Sequence, residues 1–162
     1  QELTYKTEFE YSQSPIVSSY IGSYVPAAKT EKKEGSLMEA VLWKPGSIAF
    51  DREGTLYIVE DEDRDIRIAK DNQVTTFLRG DVTGGVAFRM MNIAFSLDGN
   101  TLFLSNDANG SGSAHIATMS WSNDAHQYDT GSLAAIWSIT SSLGNGVTNV
   151  GVHPVTGEVF AF

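Results

Sequence analysis

Trp43, Asp63, Arg64, Arg89, Asn106 and Asp107 are the side chains whose types could together make a binding surface. An aromatic ring beside carboxylates, amides and a guanidinium suits a sugar, because C–H faces stack on the ring while hydroxyls take planar hydrogen bonds. Lys44, Phe88 and Asn109 stand next to them in the chain and belong to the same candidate set. The plainer reading makes Trp43 a packing residue and leaves the arginines solvated or paired with local acids. The choice depends on whether the fold gathers segments that lie far apart in the sequence.

Other chemistries have less behind them. The run EDEDRD at 60–65 has the carboxylate density of a calcium site, but it lacks the turn glycine and the terminal glutamate of an EF-hand loop. A solvated acidic loop is the simpler reading, and calcium is the one cofactor left open there. His115, His126 and His153 are too scattered for a zinc set. GSGSAH at 110–115 places a serine near a histidine without the strand-to-helix setting of a nucleophile elbow. The chain has no cysteine, which excludes disulfides, thiolate metal sites and cysteine nucleophiles. A formal net charge of −9 offers no field for nucleic acid or an anionic membrane surface. No catalytic residue emerges.

The elements that must position the candidate set are strands. SIAFDREGTLYIV from residue 47, NIAFSLDGNTLFLS from residue 92 and NVGVHPVTGEVFAF from residue 149 superimpose. Each runs through an alternating apolar strand, a short turn ending in glycine and a second alternating strand. Gly54, Gly99 and Gly157 fall where such a turn needs a positive φ. Two further strands follow each of the first two hairpins, DIRIA and QVTTFLR, then AHIATMSW and LAAIWSI, giving four per unit. Period two makes Ile48, Phe50, Leu56, Ile58, Ile93, Phe95, Leu102 and Leu104 core residues. Residues 1–24 also read as strand, and KEGSLMEAVLW at 33–43 is the one helix-like stretch, a turn or two at most.

No apolar run reaches the length of a membrane helix, and no signal sequence opens the chain. The chain starts at Gln1 and stops inside the alternating run TGEVFAF, which reads as part of a longer polypeptide.

Gly35, Ala40, Leu42, Pro45, then GSIAFDREGTLYIVED, DIRIAK and QVTTFLRG, together resemble a blade of the NHL-repeat β-propellers. The second repeat keeps the hairpin but lacks the proline and carries the insertion NDANGSGSA; the third holds only its first hairpin. The fold class that follows is all-β: a β-propeller of four-stranded NHL-type blades, with about two and a half blades of a six-bladed propeller present. The opening LTYKTEFEY is similar to the exit from an IPT/TIG domain, so residues 1–10 are expected to end such a domain or form a closing strand, and 11–162 to form the partial propeller.

The resemblance implies an exported protein, periplasmic or at the outer-membrane surface, acting as a non-catalytic module that binds polysaccharide through the propeller loop face. Those loops are 41–46, 60–65, 84–91, 105–113 and 143–148, and they carry the candidate set. A protein-interaction scaffold is one alternative. A metal-dependent lactonase or lyase with ligands from Glu60, Asn106 and Asp107 is another. The edges of a partial propeller also require a partner, either the remaining blades as a second chain or fragment, or association.

Overall fold

A computed structural model describes residues 20–22, 33–60, 65–80, 89–107, 113–140 and 147–161. Its elements are β1 (Gly35–Ser36), β2 (Pro45–Phe50), β3 (Leu56–Glu60), β4 (Ile66–Lys70), β5 (Gln73–Leu78), β6 (Arg89–Phe95), β7 (Thr101–Asp107), β8 (Ser113–Ser122), β9 (Gln127–Tyr128), a 3-10 turn (Thr130–Ser132), β10 (Ala134–Thr140), β11 (Val150–Val152) and β12 (Val159–Ala161). The strands form one sheet in the order β1-β5-β4-β3-β2, a second in the order β10-β8-β7-β6 with β9 beside β8, and the hairpin β11–β12. The chain is all-β and has propeller architecture: two four-stranded antiparallel blades, β2 to β5 and β6 to β8 with β10, and the first hairpin of a third.

The three hairpins share one register. Ala49 faces Tyr57, Ala94 faces Phe103 and Gly151 faces Phe160; one step on, Phe50 faces Leu56, Phe95 faces Leu102 and Val152 faces Val159. Gly54, Gly99 and Gly157 close the turns at φ +82, +67 and +74, a region that a side chain enters only at a cost. Each glycine N–H bonds back to the residue that opens its turn, Asp51, Ser96 or His153. Between β4 and β5 the turn uses Asp71 and Asn72 at φ +49 and +61, as a two-residue hairpin of this hand requires.

The blades pack face to face, so both faces of each central strand are buried. Tyr57, Val59, Ile66 and Leu78 of the first blade meet Met90, Ile93, Leu102, Leu104 and Met119 of the second in the main core. The opposite face of the second blade, Phe103 and Ile116, packs on Val147 and Val150 of the third. The outer part of the first blade's remaining face, Leu56, Ile58, Ala69 and Val74, is covered by Ile21, Leu37, Ala40 and Leu42. Tyr128 joins the main core fully buried, with its ring 5.8 Å from Tyr57 and 5.4 Å from Phe95, and its hydroxyl donating to the Gly99 carbonyl.

Two expectations change. Residues 33–43 form no helix: Gly35 and Ser36 pair with Val74 and Gln73, Lys33 bridges Val41, and a turn lies between. A glycine followed by a stretch too short to nucleate a helix is better held by an existing sheet edge. Ile48 and Phe50 are not core but 63% and 57% exposed: among the described residues, the cover of the face they share with Ile58 and Leu56, from Ile21, Leu37, Ala40 and Leu42, lies over the strands beyond β2. The expected boundary at residue 10 lies outside the described residues.

Candidate ligand-binding end of the blades

The shared register puts the starts of β2, β6 and β11 at one end of the stack and the turn glycines at the other. Pro45 at the start of β2 pairs with Glu60, and Met90 near the start of β6 pairs with Asn106. A bulge follows at the same place in each hairpin, between Pro45 and Ser47 and between Met90 and Asn92, bending the strand as it leaves the loop. Glu60 and Asn106 therefore occupy equivalent positions in neighbouring blades, and both are buried, at 0% and 2% exposure.

In the first blade this polar layer is an ion pair with a loop fastened to it. Glu60 Oε2 lies 3.7 Å from Arg67 Nη1, and both side chains are within 1% of complete burial. Glu60 Oε1 accepts the Trp43 backbone N–H at 2.6 Å, and Arg67 Nη2 donates to the Lys33 carbonyl. Glu34 adds a third fastening by accepting the Thr76 N–H at 2.8 Å; hydrogen bonding from Thr76 holds its carboxyl below the usual range. Asp65, also buried, accepts the Gly80 N–H. Segment 33–43 is thus tied to the blade by charge-assisted bonds, which are stronger than neutral ones. Lys44 completes the bend before β2 at φ +46.

In the second blade Arg89 faces Asp107 across β6 and β7, one step beyond the pairing of Met90 with Asn106, and Asn106 in turn faces His115. Ser105 donates to the Thr148 carbonyl, which ties the end of β7 to the lead into β11.

Of the sequence-predicted residues, Trp43 lies half-buried in the loop before β2, and Arg89 and Asp107 form a cross-strand pair at the same end. Asn106 differs from a surface ligand: a central strand position flanked by Met90 and His115 buries it. Asp63 and Arg64 lie outside the described residues, as do Phe88, Asn109 and most of the acidic loop with the expected calcium. Among the described residues no group of three or more His, Asp or Glu is placed to hold a metal ion. Sequence reasoning missed Arg67 and the structural use of Glu60. The equivalence of YIVE with FLSN was the available signal, since it sets a polar residue at the same strand end twice.

Neither a protein-family model nor a curated protein matches the chain. Among solved structures it is similar to an auxiliary nutrient binding protein from Bacteroides thetaiotaomicron VPI-5482, with a TM-score of 0.64 and 16% identity over 88% of this chain and 31% of that one. It is also similar to a protein of unknown function from the same organism, with a TM-score of 0.60 and 18% identity over 88% and 36% of the two chains. The chain spans about a third of the length of these structures. At such identities the likeness is one of fold: the chain shares the stacked-blade architecture of these two bacterial proteins.

Proposed function

We propose that this chain is a non-catalytic ligand-binding module of NHL-type blades from an exported protein, and that it takes a polysaccharide at the loop end of the blades. Trp43, Asp63, Arg64, Arg89 and Asp107 make the contacts, and Asn106 supports them from beneath. The observation that carries this reading is the common register, which sets Trp43 and the Arg89–Asp107 pair at the same end of adjacent blades. An aromatic residue in the loop before β2, with an arginine and an aspartate at adjoining strand ends of the next blade, suits a chain of hydroxyls.

The acids that can be followed at this end have structural duties. Glu60 holds Arg67 and the Trp43 N–H, and Asp65 holds Gly80, an arrangement that fixes loops rather than activates water. The nutrient binding described for the similar Bacteroides protein is in keeping with a binding role, and the surface of the periplasm or outer membrane is the compartment we assign. The remaining blades of the propeller are the expected protein partner.

Affinity electrophoresis against a panel of polysaccharides tests the proposal. Retardation by at least one glycan is expected, weakened roughly 10-fold by Trp43→Ala through loss of the stacking surface. No retardation across neutral and acidic glycans, or retardation indifferent to Trp43, overturns it.

A further inference from the structure

The buried pair of Glu60 and Arg67 is one that the blade itself can do without. Asn106 takes the register position of Glu60, and Ala117 takes that of Arg67, since Leu104 faces Ala117 as Ile58 faces Arg67. The second blade thus builds the same four strands and buries the same two positions, at 2% and 0% exposure, with an amide and a methyl group. Taking an ion pair out of water costs solvation that its attraction rarely exceeds. A pair that the neighbouring blade replaces with uncharged groups is better explained by what it holds than by the stability it adds.

What it holds is the segment that carries Trp43. Arg67 Nη2 donates to the Lys33 carbonyl at 3.4 Å, and Glu60 Oε1 accepts the Trp43 N–H at 2.6 Å. Between these points Lys33 and Val41 exchange backbone hydrogen bonds, which closes the segment on itself. Immediately after Trp43 the chain is fixed again. Lys44 takes the strained left-handed conformation at φ +46, and Pro45, its own φ locked by the ring, pairs with Glu60 across β2 and β3. Glu60 therefore grips both sides of Lys44, by its side chain at Trp43 and by its strand position at Pro45.

We propose that Glu60 and Arg67 are positioning residues, which hold the Trp43 backbone in place so that its side chain meets the ligand already ordered. An aromatic platform fixed beforehand loses less freedom on binding, and the difference appears as affinity. The ligand in this inference rests on the binding role proposed above; the fastening of Trp43 does not.

Amide hydrogen exchange and affinity electrophoresis of the chain carrying Glu60→Leu together with Arg67→Met test the two parts separately. The blade should stay folded, with the Ile58 and Val59 amides exchanging as in wild type. The Trp43 amide should exchange at least about 10-fold faster, because its bond to a carboxylate is gone. Retardation by a polysaccharide that retards the wild type should weaken roughly 10-fold, as in Trp43→Ala, although the ring is still present. Glu60→Gln keeps an oxygen acceptor for the Trp43 N–H and should restore both slow exchange and affinity. A folded double variant whose Trp43 amide stays protected, or which binds as the wild type does, overturns the positioning role. A Glu60→Gln chain that releases Trp43 also overturns it, and this variant decides the matter should the double variant fail to fold. Failure of the binding role looks different: no glycan retards the wild type, while the Trp43 amide is still released in the double variant.

Discussion

Arg52 in the turn of the first blade places its guanidinium carbon 4.4 Å from the ring centroid of Trp121 in the second. The same guanidinium donates to Asn100 Oδ1 at 2.9 Å and Asn123 Oδ1 at 3.1 Å. One side chain therefore clamps the two blades at the end opposite the candidate site. Next to it, Glu53 reaches His126 of the second blade at 2.9 Å and Lys70 of its own at 3.5 Å.

Removing the clamp should loosen the stack. An exposed cation–π contact contributes about 0.5–1 kcal/mol and a hydrogen bond about 0.5–1.5 kcal/mol, so Arg52→Ala is expected to cost about 1–2 kcal/mol in urea unfolding. Gly99→Ala should cost a similar amount, because φ is +67 and the new methyl meets Arg52. The double variant is expected to lose less than the sum, since the methyl no longer meets the arginine. Additive losses would mean that Arg52 does not pack over the glycine.

Breaking the buried Glu60–Arg67 pair should be expensive. Glu60→Leu leaves a guanidinium at 1% exposure without its carboxylate and frees the Trp43 N–H, at an expected cost of about 3–5 kcal/mol. Glu60→Leu combined with Arg67→Met should recover most of that loss. The urea midpoints of the three variants decide it, and a single variant as stable as wild type contradicts the pairing.

Alkaline stability follows from two buried phenols. Burial is the largest cause that raises Tyr57 and Tyr128 well above the ordinary tyrosine value, with the charge of Asp51 adding to it. The folded state thus prefers the protonated phenols, and the stability this confers is fully present below the unfolded value of about 10 and fades as pH climbs above it. Difference absorbance at 295 nm, compared between wild type and the Tyr57→Phe and Tyr128→Phe variants, should show these two phenols titrating only with unfolding. Their titration below the unfolding transition would count against this core.

At the acid end the sign reverses. The hydrogen bond with His126 holds the Glu53 carboxyl below the usual range, and hydrogen bonds from Ser96 and Asn100 bring Asp98 down to about 2. Both contribute stability that is present above the unfolded carboxylate values of about 4 and is lost as pH falls below them. Glu53→Gln should flatten the part of the stability curve between about pH 5 and pH 3, and an unchanged slope would show that Glu53 does not hold His126 in solution.

The hairpins were legible because their signal is local. Alternation and a turn glycine identify a strand pair without reference to anything distant, and Gly54, Gly99 and Gly157 all take the positive φ expected of them. What alternation cannot say is which face is covered, or how far. Tyr57 and Ile58 are neighbours on opposite faces, yet each is 1% exposed, while Ile48, with the same local pattern, faces solvent. The burial of Tyr128 has no local signal, since its hydroxyl partner, the Gly99 carbonyl, lies 29 positions away. The candidate site was legible as residue types on loops. Its foundation, Glu60 against Arg67, was not, since an acid followed by DEDRD reads as solvated until the fold places a guanidinium opposite.

The most direct test of the binding role is to map backbone amide shifts while titrating the labelled chain with a polysaccharide that retards it in the gel. Perturbations are predicted at Trp43, Arg89, Asn106 and Asp107, with Gly54, Gly99 and Gly157 at the opposite end unmoved. Shifts confined to the turn glycines, or none at all, would contradict a ligand site at the loop end of the blades.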